Sequence, residues 1–186
     1  RAYRYLRRML QARQWLRGPR RWLIKSPQHL EQLGPLLRVF PDVRIVQTHR
    51  DPVRVTASMC TMAAYGLRMS CARIDLPRTG RYWADRIEQM LRASVEGRVL
   101  VPAGQISDVR FHEFMADDLA TVERLYACFG EPLAEPARAA MQSYLAGHAR
   151  GRLGRVDYRL EDFELGAAER RGALAFYQRR FGVPDE

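Results

Sequence analysis

A chain of 186 residues, 47% of them hydrophobic, is about one domain long and can bury a real core. No apolar run reaches the roughly 18 residues a membrane-spanning helix needs, and the basic opening segment lacks the apolar block of a secretory signal, so a cytoplasmic protein without stable membrane insertion is expected. The net charge of +10 admits a polyanionic partner, but no nucleic-acid motif accompanies it; nucleic acid is therefore set aside in favour of a small, phosphorylated ligand.

In chain order, a helix is expected from Tyr3 to Leu16, with Tyr3, Leu6, Met9, Leu10 and Leu16 as its apolar set and Gly18-Pro19 as its stop. Trp22-Leu23-Ile24 suits a short buried strand ending at Lys25-Ser26-Pro27. His29 to Phe40 reads as a helix closed by Pro41-Asp42, with Gly34-Pro35 as a point of kinking or splitting. The β-branched run Val43 to Thr48 reads as a strand. It leads into His49-Arg50-Asp51-Pro52, where Asp51 is a good N-cap and Pro52 a good first residue for a helix carrying Ser58. The succession strand, helix, strand, tight turn, helix is the pattern of an α/β fold with a parallel sheet flanked by helices.

Further on, Tyr82 to Gly97 is expected to be helical and Ser107 to Phe111 to form a strand. Asp117 or Asp118 can cap a helix running to Phe129 and ended by Gly130. Glu135 to Ala146 is another helix, His148 to Asp162 a loop, and Ala167 to Phe181 a last helix with Leu174, Tyr177 and Phe181 on one face.

Three places carry chemistry. Arg50 follows a strand at the start of a helix, where backbone N–H groups converge and a planar guanidinium matches a phosphate. Ser58 lies eight residues on, about two helical turns, within reach of the same anion if that face looks toward it. A surface arginine and an ordinary helix serine would read the same way. Lys25 is the only lysine in an arginine-rich chain and sits at a strand end, where a compact ammonium can follow a point charge, or where one lysine codon has merely survived. Four residues later His29 can take a proton from an alcohol, or simply face solvent. The loop Arg150-Gly151-Arg152-Leu153-Gly154 sets glycines beside arginines, which suits close backbone approach to an anion as well as a flexible connector. Cys60, Cys71 and Cys128 form no CxxC pair, and the four histidines lack HExxH spacing, so neither disulfides nor a metal is indicated.

Taken together, Arg21-Trp22-Leu23-Ile24-Lys25-Ser26-Pro27-Gln28-His29-Leu30, Phe40 to Val46, and His49-Arg50-Asp51-Pro52 with Ser58 resemble the sulfotransferase family that uses 3′-phosphoadenosine 5′-phosphosulfate (PAPS). Val109 to Phe114 resembles that family's later strand motif, and Tyr158 to Phe163 with Phe176 to Gly182 is similar to its bacterial members. The resemblance implies an incomplete P-loop-like sulfotransferase fold, residues 1–186 being the C-terminal portion of one domain. It also implies Arg50 and Ser58 as ligands of the donor's 3′-phosphate, joined by Arg150, Gly151 and Arg152 of the glycine loop. Lys25 is expected on the leaving phosphate oxygen and His29 as the base. The donor is then PAPS with no metal, and the acceptor a hydroxyl or amine of a small apolar molecule. Tyr65, Tyr82 and Trp83 fit such an acceptor or an ordinary core.

Three departures from the family pattern stand out. The Gly- and Ser/Thr-rich turn that holds the phosphosulfate end is absent, and the chain opens on Arg1, so this piece alone is expected to be incomplete as an enzyme. Phe111 stands where many members have tyrosine, and Lys25 and His29 are farther apart than in the cytosolic animal enzymes. A nucleotide kinase would need the GxxxxGK[ST] loop, which is missing. A catalytically inactive nucleotide-binding or membrane-surface protein is the other alternative.

Overall fold

Two parallel strands, β1 (Ile45–His49) and β2 (Ile106–Arg110), pair from Ile45 opposite Ile106 to His49 opposite Arg110. They form the sheet of this computed structural model, which describes residues 1–18, 21–149, 151, 154 and 156–186. Because the strands are parallel and in step, both chains leave the sheet at the same edge, one into Arg50 and the other into Phe111.

Helices account for most of the rest: α1 (Ala2–Arg17), α2 (Leu33–Val39), α3 (Pro52–Arg68), α4 (Leu76–Gly97), α5 (Phe111–Ala116), α6 (Asp118–Cys128), α7 (Glu135–Gly147) and α8 (Ala167–Phe181). The α/β class with a parallel sheet flanked by helices is what the sequence pattern predicts. The main core joins α3, α4 and α8 through Val53, Ala57, Ile87, Leu91, Leu174, Tyr177 and Phe181, closed by Leu160 and Val183. A second cluster, Cys60, Ala64 and Phe163, lies farther along α3 and is flanked by Leu76, Trp83 and Leu165.

Local chemistry sets the helix starts. Asp51 Oδ1 accepts the Val53 N–H at 2.9 Å, and Pro52, which has no N–H to satisfy, is the first residue of α3. Asp75 caps α4 through the Arg78 N–H at 2.9 Å, so that helix starts six residues before the expected Tyr82. Asp117 caps α6 through the Ala120 N–H at 2.8 Å.

Three expectations are corrected. Trp22-Leu23-Ile24 is not a buried strand: Leu23 is 97% exposed, and the segment joins no ladder among the described residues. An apolar run becomes a strand only where a neighbour takes up its N–H and C=O groups, and among the described residues no strand pairs with this segment. The helix expected from His29 to Phe40 divides into a 3-10 helix, Pro27–Glu31, and α2, with the break at Gln32. Pro35 cannot donate to the carbonyl of Glu31 and its ring would crowd that carbonyl, so it is accommodated only in the first turn of a new helix. In α1, Met9 and Leu16 are exposed; Tyr3, Leu6, Leu10 and Gln14 make the half-buried face at helical spacing.

Candidate anion-binding site at the strand ends

Where β1 hands over to α3, the Arg50 guanidinium lies 4.2 Å above the Phe111 ring. The two meet because the residues after β1 and β2 emerge side by side. The fork is aimed and already grips an anion: Nε lies 3.2 and 2.9 Å from the Glu186 carboxylate oxygens and Nη2 lies 2.8 Å from one of them. This is the bidentate geometry in which guanidinium binds carboxylate or phosphate. Arg50 therefore does not project into open water, although its side chain keeps 38% of its exposure.

Asp51, fully buried, organises the corner. Besides capping α3 it accepts both Arg171 Nη1 at 2.7 Å and Nη2 at 3.0 Å from α8, and the Glu186 backbone N–H at 2.9 Å. Burial alone would raise its pKa, but the Arg171 hydrogen bond and the two backbone N–H groups prevail and hold it below the usual carboxylate range.

Beneath the corner lies a closed polar network. His49 and Gln47, alternating along β1, face the helices, and both are buried. His49 Nε2 is 2.8 Å from Asp108 and Nδ1 is 2.7 Å from the Tyr177 hydroxyl. Arg98 joins Gln47 at 3.0 Å and Asp108 at 2.5 Å, and Gln47 donates to Ser94 at 3.0 Å. Burial lowers the His49 pKa more than Asp108 raises it, and burial pushes Tyr177 up to about 12. The ring is therefore neutral. A carboxylate can only accept, so Nε2–H donates to Asp108 and Nδ1 accepts the Tyr177 O–H.

The remaining predicted site residues are dispersed. Lys25 is exposed in the extended segment before Pro27, without an ion-pair partner among the described residues. His29 sits in the 3-10 helix with Nδ1 2.8 Å from the Tyr3 hydroxyl and its ring stacked on Tyr3; burial lowers its pKa, which keeps it neutral at pH 7. Ser58 is half-buried on α3 and has no hydrogen-bond partner among the described residues. Gly151 and Gly154 have φ of +78° and +89°, the left-handed conformation that favours glycine, and the Gly154 N–H closes a turn on the Gly151 carbonyl at 2.9 Å. Arg150 and Arg152 lie outside the described residues. Among the described residues no hydrogen bond links Lys25, His29, Ser58 or Gly151 to Arg50 or to each other.

Sequence reasoning missed Glu186, Arg171 and the packing role of Phe111. None of these has a local signature, since each meets Arg50 or Asp51 only through the fold. A groove of about 680 Å³ opens elsewhere, between the end of α3 and the start of α4, lined by Leu67, Ile74, Tyr82 and Trp83 among others. Among the described residues no helix is long and apolar enough to cross a membrane.

Residues 2–135 match the family described as Sulfotransferase family. The chain belongs to that family. It is 25% identical over 154 residues to omega-hydroxy-beta-dihydromenaquinone-9 sulfotransferase Stf3 of Mycobacterium bovis, a match covering 80% of this chain and 37% of that protein. The fold superposes on the crystal structure of sulfotransferase STF9 from Mycobacterium avium with a TM-score of 0.88 and 28% identity, over 98% of this chain and 47% of that one. Sulfotransferase STF1 from Mycobacterium tuberculosis gives a TM-score of 0.72 and 29% identity, over 84% and 40%. The chain thus spans less than half the length of these sulfotransferases.

Proposed function

We propose that the protein transfers a sulfuryl group from PAPS to a hydroxyl, or an amine, of an apolar acceptor, and that the strand-end corner holds the donor's 3′-phosphate. The observation that carries the reading is the Arg50 fork, set at the C-terminal edge of a parallel sheet over Phe111 and holding a carboxylate bidentately. A phosphate presents the same paired oxygens with more charge. Ligands of open parallel sheets bind beyond this edge.

In this reading Arg50 grips the phosphate and Ser58, whose hydroxyl is unengaged among the described residues, adds a hydrogen bond; Arg150, Gly151 and Arg152 are assigned to the same phosphate. Lys25 places its ammonium on the phosphate oxygen that becomes the leaving group. His29 is neutral, and when its Nδ1–H is given to the Tyr3 oxygen, Nε2 is free to take the acceptor's proton. Bound PAPS supplies the sulfuryl group. Positioning and charge neutralisation by these side chains account for the catalysis, as in phosphoryl transfer.

Support for an alcohol on an apolar molecule comes from the name of the Mycobacterium bovis relative, which specifies an omega-hydroxy compound, and from the groove lined by Leu67, Tyr82 and Trp83. The exposed free thiols Cys71 and Cys128 are in keeping with a cytoplasmic location.

Titration of the full-length protein with 3′-phosphoadenosine 5′-phosphate tests the site. Arg50→Ala should weaken binding by about 1.5–3 kcal/mol, the worth of a hydrogen bond to a charged group. Lys25→Ala should abolish turnover and leave that binding largely intact. Unchanged affinity in the Arg50 variant removes the site. Nucleotide binding without turnover in the unaltered protein points instead to an inactive nucleotide-binding protein.

A further inference from the structure

We propose that the Glu186 carboxylate occupies the anion seat of Arg50 and that a nucleotide phosphate must displace it, so that Glu186 sets nucleotide affinity. This rests on the assignment of Arg50 to the 3′-phosphate. Both Glu186 carboxylate oxygens lie on the fork, at 2.8 to 3.2 Å, along the directions a phosphate would use. Two anions cannot share the fork, because the second would meet a neutralised guanidinium and a like charge.

The placement is built into the backbone. Gly182 ends α8 in the left-handed conformation at φ 62°, turning the chain back toward the sheet edge. Buried Val183 returns its N–H to the Gln178 carbonyl at 3.1 Å. Asp185 accepts from Gln178 Nε2 at 2.7 Å and pairs with Arg171 at 2.9 Å. The Glu186 N–H then donates to buried Asp51 at 2.9 Å. With its main chain held beside Arg50, the Glu186 side chain places its carboxylate on that guanidinium. It nonetheless keeps 27% of its exposure, so it can swing into water while the N–H stays on Asp51. The carboxylate therefore lowers affinity without closing the site, by the fraction of molecules in which the fork is already occupied.

The full-length protein, Glu186→Gln, Arg50→Ala and the double variant are each titrated with 3′-phosphoadenosine 5′-phosphate. Glu186→Gln should tighten binding about two- to fivefold, the range expected from removing a partly exposed ion pair. That gain should vanish in the Arg50→Ala background. Equal or weaker binding by Glu186→Gln, with Arg50→Ala still weakened, overturns the inference and leaves the Arg50 assignment standing. A gain that persists without Arg50 overturns it as well. If Arg50→Ala binds normally, the assignment of Arg50 falls and this inference falls with it.

Discussion

Phe111 lies 4.2 Å beneath the Arg50 guanidinium because β1 and β2 run parallel and in step and end together. An aromatic face under a guanidinium both attracts its charge and limits its rotation, leaving the fork's N–H edge free for an anion. Phe111→Ala should therefore weaken 3′-phosphoadenosine 5′-phosphate binding by about 0.5–1 kcal/mol. Phe111→Tyr, which keeps the ring, should bind like the parent. Calorimetric titration checks the pair, and an alanine variant with parental affinity would show that the ring does not steady the fork.

Asp51 ties α3, α8 and the segment after α8 to one carboxylate. Asp51→Asn keeps the shape but removes the charge facing Arg171. The arginine side chain stays 31% exposed, so the loss is discounted from the full buried-pair value to about 2 kcal/mol. The depressed pKa of Asp51 gives stability that is present above the unfolded carboxylate value, roughly pH 4, and is lost as pH falls through the folded value. Urea denaturation at pH 7 and in acid should show the variant less stable at pH 7 and less sensitive to acid than the parent. Equal stability at pH 7 would contradict the role.

Gly80 of α4 passes so close to the 3-10 turn at Phe163 that an added Cβ would lie 2.6 Å from the Phe163 Cβ and 2.8 Å from its carbonyl oxygen. Backbone on that side cannot yield as a flexible side chain would, so Gly80→Ala should cost about 2–3 kcal/mol. In exposed Gly172 of α8 nothing lies within 4 Å of such a Cβ, and Gly172→Ala should stabilise by about 0.5–1 kcal/mol through helix propensity. Thermal melts of the two variants should move in opposite directions. A melting temperature for Gly80→Ala at or above the parent's would show that the close approach is not tight.

Features written in local chemistry were legible from sequence. Asp51-Pro52 and Asp117 announce helix starts through side chains that reach only two or three residues ahead, and both caps form. Asp75, followed by Leu76-Pro77, carries the same signal for α4, yet that helix was expected to begin only at Tyr82. The position of Arg50 after a strand was equally readable. What it touches was not: Glu186 is 136 residues away along the chain, and Asp51 meets Arg171 across 120. At β1 the face toward the helices is the polar one, Gln47 and His49, while Val46 is exposed. A β-branched run fixes that a strand forms but not which face is buried, and here hydrogen bonds to Ser94, Asp108 and Tyr177 decide it. Trp22 to Ile24 failed for the related reason that a strand is defined by its neighbour.

That polar face makes a pH signature. His49 is 1% exposed, is neutral, and has both ring nitrogens committed, one to Asp108 and one to Tyr177. Burial depresses its pKa, and burial depresses that of His29 too. Once unfolded, each titrates near the free value of about 6.5. Between the depressed folded value and about 6.5 the unfolded chain binds more protons than the folded one, so stability rises with pH, is complete above about pH 7, and declines as pH falls below 6.5. Melting temperature should accordingly drop between pH 7.5 and 5.5, well above the range where carboxylates titrate. His49→Gln should be less stable at pH 7.5 by about 1–3 kcal/mol, since Asp108 and Tyr177 lose a shaped partner. It should also show a shallower pH slope, the residual belonging to His29 and disappearing in the double variant with His29→Gln. A slope unchanged by both substitutions would mean that neither ring is held neutral by the fold.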